Sequence, residues 1–131
     1  MIRCPLPLHL VSEANAHEHW RVRQRRAKAQ RAAVSLSMSA EIRARTSGGL
    51  LYGAKLLQHP RELLPCVVTI TRIAPRSLDD DNLVGSAKHV RDGVADALGI
   101  DDRSPLVQWR YAQRRGKPRE FAVEITLEPA S

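Results

Sequence analysis

The stretch Cys66–Leu98, CVVTITRIAPRSLDDDNLVGSAKHVRDGVADAL, contains the two signals that decide the fold. Its first part, Cys66–Ile73, is apolar and β-branched and lies between two prolines, which predicts a buried central strand. From Asn82 to Leu98 the apolar residues recur every three or four positions and a glycine follows, which predicts an amphipathic helix that ends there. The aspartates from Asp79 to Asp81 therefore lie at a predicted strand-to-helix junction.

The flanking sequence predicts one long helix and further strands. The region from about Ala16 to Arg45 has no Gly or Pro and is rich in helix formers, so we expect a helix there. Trp20, Ala27 and Val34 recur every seven residues, and Met38 and Ile42 continue by fours, which predicts one buried stripe on this helix. The alternation of Leu6, Leu8 and Leu10 with other residues predicts a short strand. Two more alternating segments, Val107 to Tyr111 and Phe121 to Leu127, predict a β-hairpin whose loop, Gln113 to Arg119, is strongly basic.

Length and composition indicate one folded domain over residues 1–131. The chain is 43% hydrophobic and 27% charged, which is ordinary for a globular protein. It has no window of about 18 uninterrupted apolar residues, and its first ten residues lack the features of a signal peptide. We therefore expect a cytoplasmic protein with no membrane partner. Its two cysteines, Cys4 and Cys66, are expected to be reduced and buried.

The charge is distributed very unevenly along the chain. The net charge is +7 and the sequence pI is near 10.2, which favours a polyanionic partner and nucleic acid first of all. All seven aspartates nevertheless fall between Asp79 and Asp102, where only two basic residues oppose them, so that window has a net charge of −5. The rest of the chain has a net charge of +12. An acidic patch within a basic protein therefore needs an explanation.

A divalent metal site is the explanation that we favour for the aspartates. Asp79 and Asp81 point the same way if the backbone is extended, and crowded carboxylates suit Mg²⁺ or Mn²⁺. The alternative is that these acids cap the following helix, but capping needs only one or two of them. A calcium-binding EF-hand loop is excluded, because counting from Asp79 the sixth residue is Val84 instead of Gly and the twelfth is Val90 instead of Glu.

Lys88 is a further candidate for the same site. It follows Asp81 by seven residues, which on a continuous helix returns it to nearly the same face. There it could orient a phosphate or stabilise developing negative charge. An ordinary ion pair with Asp92, four residues later on the helix, is the alternative.

Two basic segments predict a surface that binds DNA phosphates. The run from His17 to Arg31 has a net charge of +5, and the loop QRRGKPR adds four basic residues. A solvated helix face is the alternative. The predicted phosphate contacts are Arg21, Arg25, Arg26, Lys28, Arg114, Arg115 and Lys117.

Several other chemistries lack support in the sequence. His17 and His19 do not share a helix face, and no third ligand stands at zinc-site spacing. There is no local motif for a Ser or Cys nucleophile and no phosphate-binding GxxxxGK[ST] loop, so we expect no nucleotide cofactor.

The acidic motifs resemble a known family. The segment Leu78 to Leu83 (LDDDNL), followed by Lys88 and then by Asp92 to Asp102 (DGVADALGIDD), resembles the core of RusA-family crossover junction endodeoxyribonucleases, which are Holliday junction resolvases. The phage-encoded branch is the most similar. The stretch Ser12 to Asn15, with His19-Trp20 and the Arg-rich helix, extends the resemblance over most of the chain.

The resemblance implies a homodimeric α+β protein, with a small mixed β-sheet and helices packed against it, that hydrolyses phosphodiesters in branched DNA with Mg²⁺ or Mn²⁺. It assigns metal coordination and catalysis to Asp79, Asp81 and Asp102, with Asp101 as the fallback for the third position. The family lysine stands four residues after the second aspartate, where this chain has Gly85, so Lys88 is its candidate substitute.

Two other functions are compatible with the same residues. One is a DNA-binding or junction-binding protein without catalysis, in which the aspartates are helix caps. The other is a nuclease that prefers flaps, single strands or RNA. Metal binding and strand cleavage distinguish the first of these from a junction-cutting nuclease.

Overall fold

The structure is a computed structural model that describes residues 1–12 and 18–130. The predicted beginning of the long helix near Ala16 and part of the Ser12 to Asn15 stretch lie outside these residues. In chain order the elements are β1 (Ile2–Leu6), α1 (Trp20–Ser47), β2 (Leu51–Tyr52), β3 (Lys55–Leu56), a 3-10 helix (Pro60–Leu63), β4 (Cys66–Ala74), α2 (Asp80–Ser86), α3 (Lys88–Leu98), β5 (Val107–Arg115) and β6 (Ala122–Pro129).

A four-stranded mixed sheet organises the domain in the order β1-β6-β4-β5. β6 runs antiparallel to both of its neighbours, whereas β4 and β5 are parallel. In the register, Ile70 of β4 lies opposite Ile125 of β6 and Tyr111 of β5. A single small α+β domain with a mixed sheet is confirmed, and so is the central position of β4.

The predicted hairpin between the last two strands is wrong. β5 and β6 exist, but β4 lies between them. The chain leaves β4, crosses through α2 and α3, and returns as the parallel partner β5, and a crossover of this kind is what parallel strands require. Alternating hydrophobicity indicates that a segment is a strand, but it does not identify the strand's partner. The basic connection after β5 therefore passes the end of β4 on its way to β6.

The long helix α1 packs through one stripe of its surface. Val34, Met38 and Ile42 are buried as predicted, and Gln30 extends the stripe by one turn. Trp20 does not belong to it, because that side chain is 52% exposed. His19 caps the helix, and its Nδ1 accepts a hydrogen bond from the backbone of Arg21 at 3.2 Å. In the first two turns of α1, the side chains of Arg21, Arg23 and Arg25 are exposed, whereas Arg26 is paired with Glu18.

The predicted helix from Asn82 to Leu98 is two helices. The break is at Ala87, between α2 and α3. Just before it stand Gly85 and Ser86, which are weak helix formers, and the hydroxyl of Ser86 donates a hydrogen bond to the carbonyl of Leu83 at 2.7 Å. The end of α3 matches the prediction, since Gly99 adopts the left-handed conformation there with φ 70°.

The two cysteines agree with the prediction for them. Cys4 and Cys66 are both buried and free, and burial raises the pKa of both thiols, that of Cys66 to about 11. Among the helices in the described part of the chain, none is both long and apolar enough to cross a bilayer.

α1 and α3 approach each other most closely at Gly93. A Cβ atom at this position would lie 2.7 Å from the carbonyl oxygen of Arg31 and 2.8 Å from Cβ of Val34. Backbone and a β-branched side chain cannot easily yield, so only glycine fits this contact. The exposed pair Arg31–Asp96, with Nε and Oδ2 2.7 Å apart, joins the same two helices.

We expect Gly93→Ala to destabilise the protein by about 1–3 kcal/mol, because the added methyl group forces the helices apart. Gly85→Ala is the matched control, since a Cβ there meets nothing within 4 Å. It should be neutral or stabilising by up to about 1 kcal/mol. Urea denaturation of the two variants and the parent measures both effects. Equal stabilities for the two variants would contradict the close helix contact.

Candidate functional site

The three consecutive aspartates form the first turn of α2. Asp79 is the N-cap, and its Oδ1 accepts a hydrogen bond from the backbone of Asn82 at 3.0 Å. Asp80 and Asp81 follow as the first two helical residues, and all three are exposed. The capping role considered from the sequence is therefore present at Asp79. It occupies one carboxylate oxygen and leaves two whole carboxylates in solvent.

The connection that precedes Asp79 is held by two side chains of the sheet. Gln113 of β5 accepts a hydrogen bond from the backbone N–H of Leu78 at 2.9 Å and donates one to its carbonyl at 2.7 Å. Arg72 of β4 donates through Nη1 to the carbonyl of Arg76 at 2.7 Å. These bonds tie residues 76–78 to the carboxyl ends of two adjacent parallel strands and so determine where α2 begins.

The N-terminal segment is attached to the same place. Arg72 donates through Nε to the carbonyl of Leu10 at 3.0 Å, and Ser12 donates to the side-chain carbonyl of Asn82 at 2.8 Å. Gln30 of α1 holds the carbonyl of His9 at 3.0 Å. Three segments that are distant in sequence thus meet at the carboxyl end of β4.

A cleft of about 430 Å³ opens between the carboxyl ends of β4 and β5. We call it the arginine cleft, after the four arginines that line it, Arg72, Arg76, Arg114 and Arg115. Its electrostatic effect reaches His9, whose pKa is lowered by burial and by the positive charges of Arg72 and Arg26. Since Ser77 also lines the cleft, the acidic turn begins two residues beyond its wall.

Asp102 lies beside α3 and is held by Arg91. Its carboxylate Oδ2 is 3.3 Å from Nε of Arg91, and its backbone carbonyl accepts hydrogen bonds from Arg91 at 2.7 Å and from the indole of Trp109 at 3.0 Å. The guanidinium of Arg91 also stacks on the Trp109 ring, 4.7 Å from its centre, and reaches the Tyr111 hydroxyl at 3.0 Å. Asp102 thus takes part in a polar network of its own.

The structure does not bring the three predicted metal ligands into one group. Asp102 and Asp101 line a cavity of about 210 Å³ with Arg31 and two aspartates of α3, and neither Asp79 nor Asp81 borders it. Within residues 1–12 and 18–130, no three histidine, cysteine or carboxylate side chains are placed to share one metal ion. Asp79 and Asp81 are two residues apart at the beginning of α2, but Asp81 is helical, so the extended backbone that would point their side chains the same way is not present.

Lys88 is the first residue of α3 and is exposed. The reasoning that placed it on the face of Asp81 assumed one continuous helix, and the break at Ala87 removes that assumption. The role of Lys88 therefore stays a prediction from the family resemblance.

The residues predicted to contact phosphates differ in their exposure and in whether they already have an ion-pair partner. Arg21, Arg25 and Lys28 are exposed on α1, with Arg21 stacked on Trp20 at 5.4 Å. Arg26 instead makes a bidentate pair with Glu18, at 2.7 and 3.1 Å, which also lowers the pKa of the Glu18 carboxyl. At the other end of the chain, Arg114, Arg115 and Lys117 are exposed, and Arg114 lies 3.8 Å from Glu124.

Sequence reasoning missed Arg72, Arg76 and Gln113. A signal for Arg72 was present, because in β4 the even-numbered residues Cys66, Val68 and Ile70 face the core, and an arginine in that series is out of place. Gln113 had no comparable signal. The sequence pattern places Gln113 in the predicted hairpin loop, whereas it is a residue of β5 whose side chain hydrogen-bonds the backbone of Leu78.

Comparisons with known proteins add little to this description. No protein-family model and no solved structure matches the chain. A protein of Xylella fastidiosa, described only as uncharacterized, is 52% identical over 42 residues, which cover 29% of this chain and 26% of that protein. The alignment thus spans about a quarter of that relative, and the RusA-family resemblance stays a prediction.

We expect Gln113→Met to loosen the beginning of α2, because both hydrogen bonds to Leu78 are lost while the side-chain volume is nearly kept. The expected destabilisation is about 1–3 kcal/mol. Hydrogen exchange of the Leu78 backbone amide should accelerate much more than exchange of the backbone amides within β5. Gln108→Met, at an exposed position of the same strand, is the matched control. Unchanged exchange at Leu78 would show that the amide of Gln113 does not hold the connection.

Proposed function

We propose that this protein is a Mg²⁺-dependent endodeoxyribonuclease that cuts branched DNA, with four-way junctions as its main substrate. One observation supports the proposal above the others: an exposed turn of three carboxylates, Asp79 to Asp81, follows directly on the wall of a cleft lined by four arginines. Carboxylates bind divalent cations and arginines bind phosphates, and phosphodiester hydrolysis with a metal ion can use both.

The donors at the acidic turn fit Mg²⁺, and Mn²⁺ could replace it. Mg²⁺ in proteins is commonly held by one or two carboxylates together with waters and substrate phosphates, so Asp79 and Asp81 could serve as its protein ligands. When bound, the ion would polarise a phosphate oxygen and lower the pKa of a water. Asp102 could join them only by giving up its ion pair with Arg91, which makes it the weakest of the three assignments.

The basic residues would position the DNA. Arg21, Arg25 and Lys28 are spaced by four and three residues on α1 and so lie along one face of the helix. Together with Arg114, Arg115 and Lys117 they would contact phosphates without reading bases, which makes binding salt-dependent. Arg26 would contribute less, because Glu18 already neutralises it. Lys88 would serve as an additional cation close to α2.

A homodimer would match the symmetry of the substrate. A four-way junction has two equivalent strands to cut, and a two-fold dimer presents two equivalent sites. This part of the proposal rests on the family resemblance alone.

A DNA-binding protein without catalysis is the second candidate. It is favoured by the structural roles that two of the three aspartates already have, Asp79 as the cap of α2 and Asp102 as the partner of Arg91. If capping and ion pairing are the only roles of these aspartates, the carboxylates bind no metal and the basic surfaces bind DNA without cleaving it.

The deciding experiment separates capping from metal binding at Asp79 and Asp81. Asparagine caps helices about as well as aspartate but is a much poorer metal ligand, so Asp79→Asn and Asp81→Asn should leave the free energy of unfolding nearly unchanged. Cleavage of a labelled synthetic four-way junction in Mg²⁺ or Mn²⁺ should fall at least about a hundredfold. Binding in EDTA should be kept or tightened, since a negative charge beside the phosphate is removed.

Asp92→Asn in α3 is the matched control and should cleave normally. Duplex, flap, single-stranded DNA and RNA substrates test the preference for junctions. If the parent protein binds DNA tightly but cleaves no substrate in either metal, the nuclease proposal is wrong and the non-catalytic DNA-binding protein is favoured.

A further inference from the structure

The base of the arginine cleft contains a buried charge, that of Arg72, which no carboxylate within residues 1–12 and 18–130 pairs with. Arg72 is only 7% exposed, and burial lowers the pKa of its guanidinium. Its hydrogen bonds go to two backbone carbonyls, those of Leu10 and Arg76. Carbonyl dipoles orient the side chain but do not neutralise it. Buried charges in proteins are normally compensated, so the guanidinium at the base of this cleft favours an anionic ligand.

The rim of the cleft adds more uncompensated charge. Arg76 and Arg115 are exposed, and within residues 1–12 and 18–130 neither guanidinium has an ion pair or a hydrogen bond. Arg114 has only the distant contact of 3.8 Å with Glu124. Three free or nearly free guanidinium groups around one opening present planar arrays of donors that suit a phosphate.

We propose that the arginine cleft binds one phosphodiester group of the DNA strand that passes over the acidic turn. Arg76 and Arg115 would contact the phosphate oxygens, while Arg72 supplies charge from below and fixes the loop that carries Arg76. This identification of the anion rests on the proposed function. It adds Arg76 to the DNA-contacting residues and makes Arg115 part of a formed site rather than of a basic loop.

The shape and location of the cleft favour a strand over a small free anion. A volume of about 430 Å³ accommodates a phosphate with its attached sugar. The contacting arginines lie at the exposed rim, where a polymer can enter and leave, and not in an enclosed cage. The cleft also lies at the carboxyl ends of adjacent parallel strands, where open sheets with helical crossovers commonly bind phosphorylated ligands.

The test is the binding of a labelled four-way junction in EDTA by a variant with Arg76→Gln and Arg115→Gln. Both substitutions keep the backbone contacts of the site, including the bond from Arg72 to the carbonyl of residue 76. Affinity should fall tenfold or more, and the slope of log affinity against log salt should decrease by about 2. Arg43→Gln with Arg61→Gln is the control, since it removes the same charge from two exposed arginines outside the cleft.

The control should bind within about twofold of the parent protein, and thermal unfolding should show that both double variants are folded. A further variant, Arg76→Lys with Arg115→Lys, should recover part of the affinity because it restores the charge but not the planar donors.

The outcomes separate the cleft from the nuclease. If the parent protein binds and cuts DNA but the Arg76→Gln, Arg115→Gln variant binds as well as the control, the cleft proposal is overturned and the nuclease stands. If the variant loses affinity although the parent cuts no substrate, the cleft is a phosphate site of a DNA-binding protein. If inorganic phosphate or a mononucleotide binds the cleft and DNA does not, the proposed strand contact is wrong.

Discussion

The pair of hydrogen bonds between Gln113 and Leu78 is the constraint on which the site depends. It links the connection after β4 to the neighbouring parallel strand β5. The side-chain amide of Gln113 bonds both the N–H and the carbonyl of Leu78, as a backbone amide of a paired strand would. With Arg72 holding the carbonyl of Arg76, the connection has little freedom. The beginning of α2, the orientation of its carboxylates and the wall of the arginine cleft all follow from where this connection is fixed.

The arginine cleft and the acidic turn are close in sequence, since Arg76 precedes Asp79 by three residues, yet no ion pair joins them within residues 1–12 and 18–130. The carboxylates of the Asp79 to Asp81 turn lie on the helix side of the connection, and the arginines lie on its strand side. Had opposite charges paired directly, both would be neutralised and neither could bind a ligand. Arg26 with Glu18 and Arg91 with Asp102 show the other outcome in the same protein, where pairing leaves groups that stabilise local structure.

The sequence predicted elements better than it predicted neighbours. The central strand, the buried stripe of α1 and the glycine stop of α3 could be derived, because they are properties of local periodicity and of single residues. The hairpin was wrong, since whether β5 pairs with β6 or with β4 depends on how the crossover helices pack. For the same reason only the acidic part of the site could be predicted from the sequence. The acidic turn is contiguous in the chain, whereas the cleft combines Arg72, Arg76 and Arg115 from two strands and a loop.

The strand order has a consequence for how the chain reaches its native state. β6 follows all the other strands in sequence, yet it lies between β1 and β4, and in the part of the chain that the structure describes it is the one strand that pairs with β1. During synthesis, β1 and one edge of β4 therefore have no sheet partner until β6 has been made. The last strand is then inserted between two strands and is not added at the edge of the sheet. Such late, long-range closure slows folding and leaves two apolar strand edges open in the meantime. The residues that line the cleft all come from β4, β5 and the connection after β4, so they precede β6 in the chain, but β4 is paired on both of its edges only once β6 has been inserted.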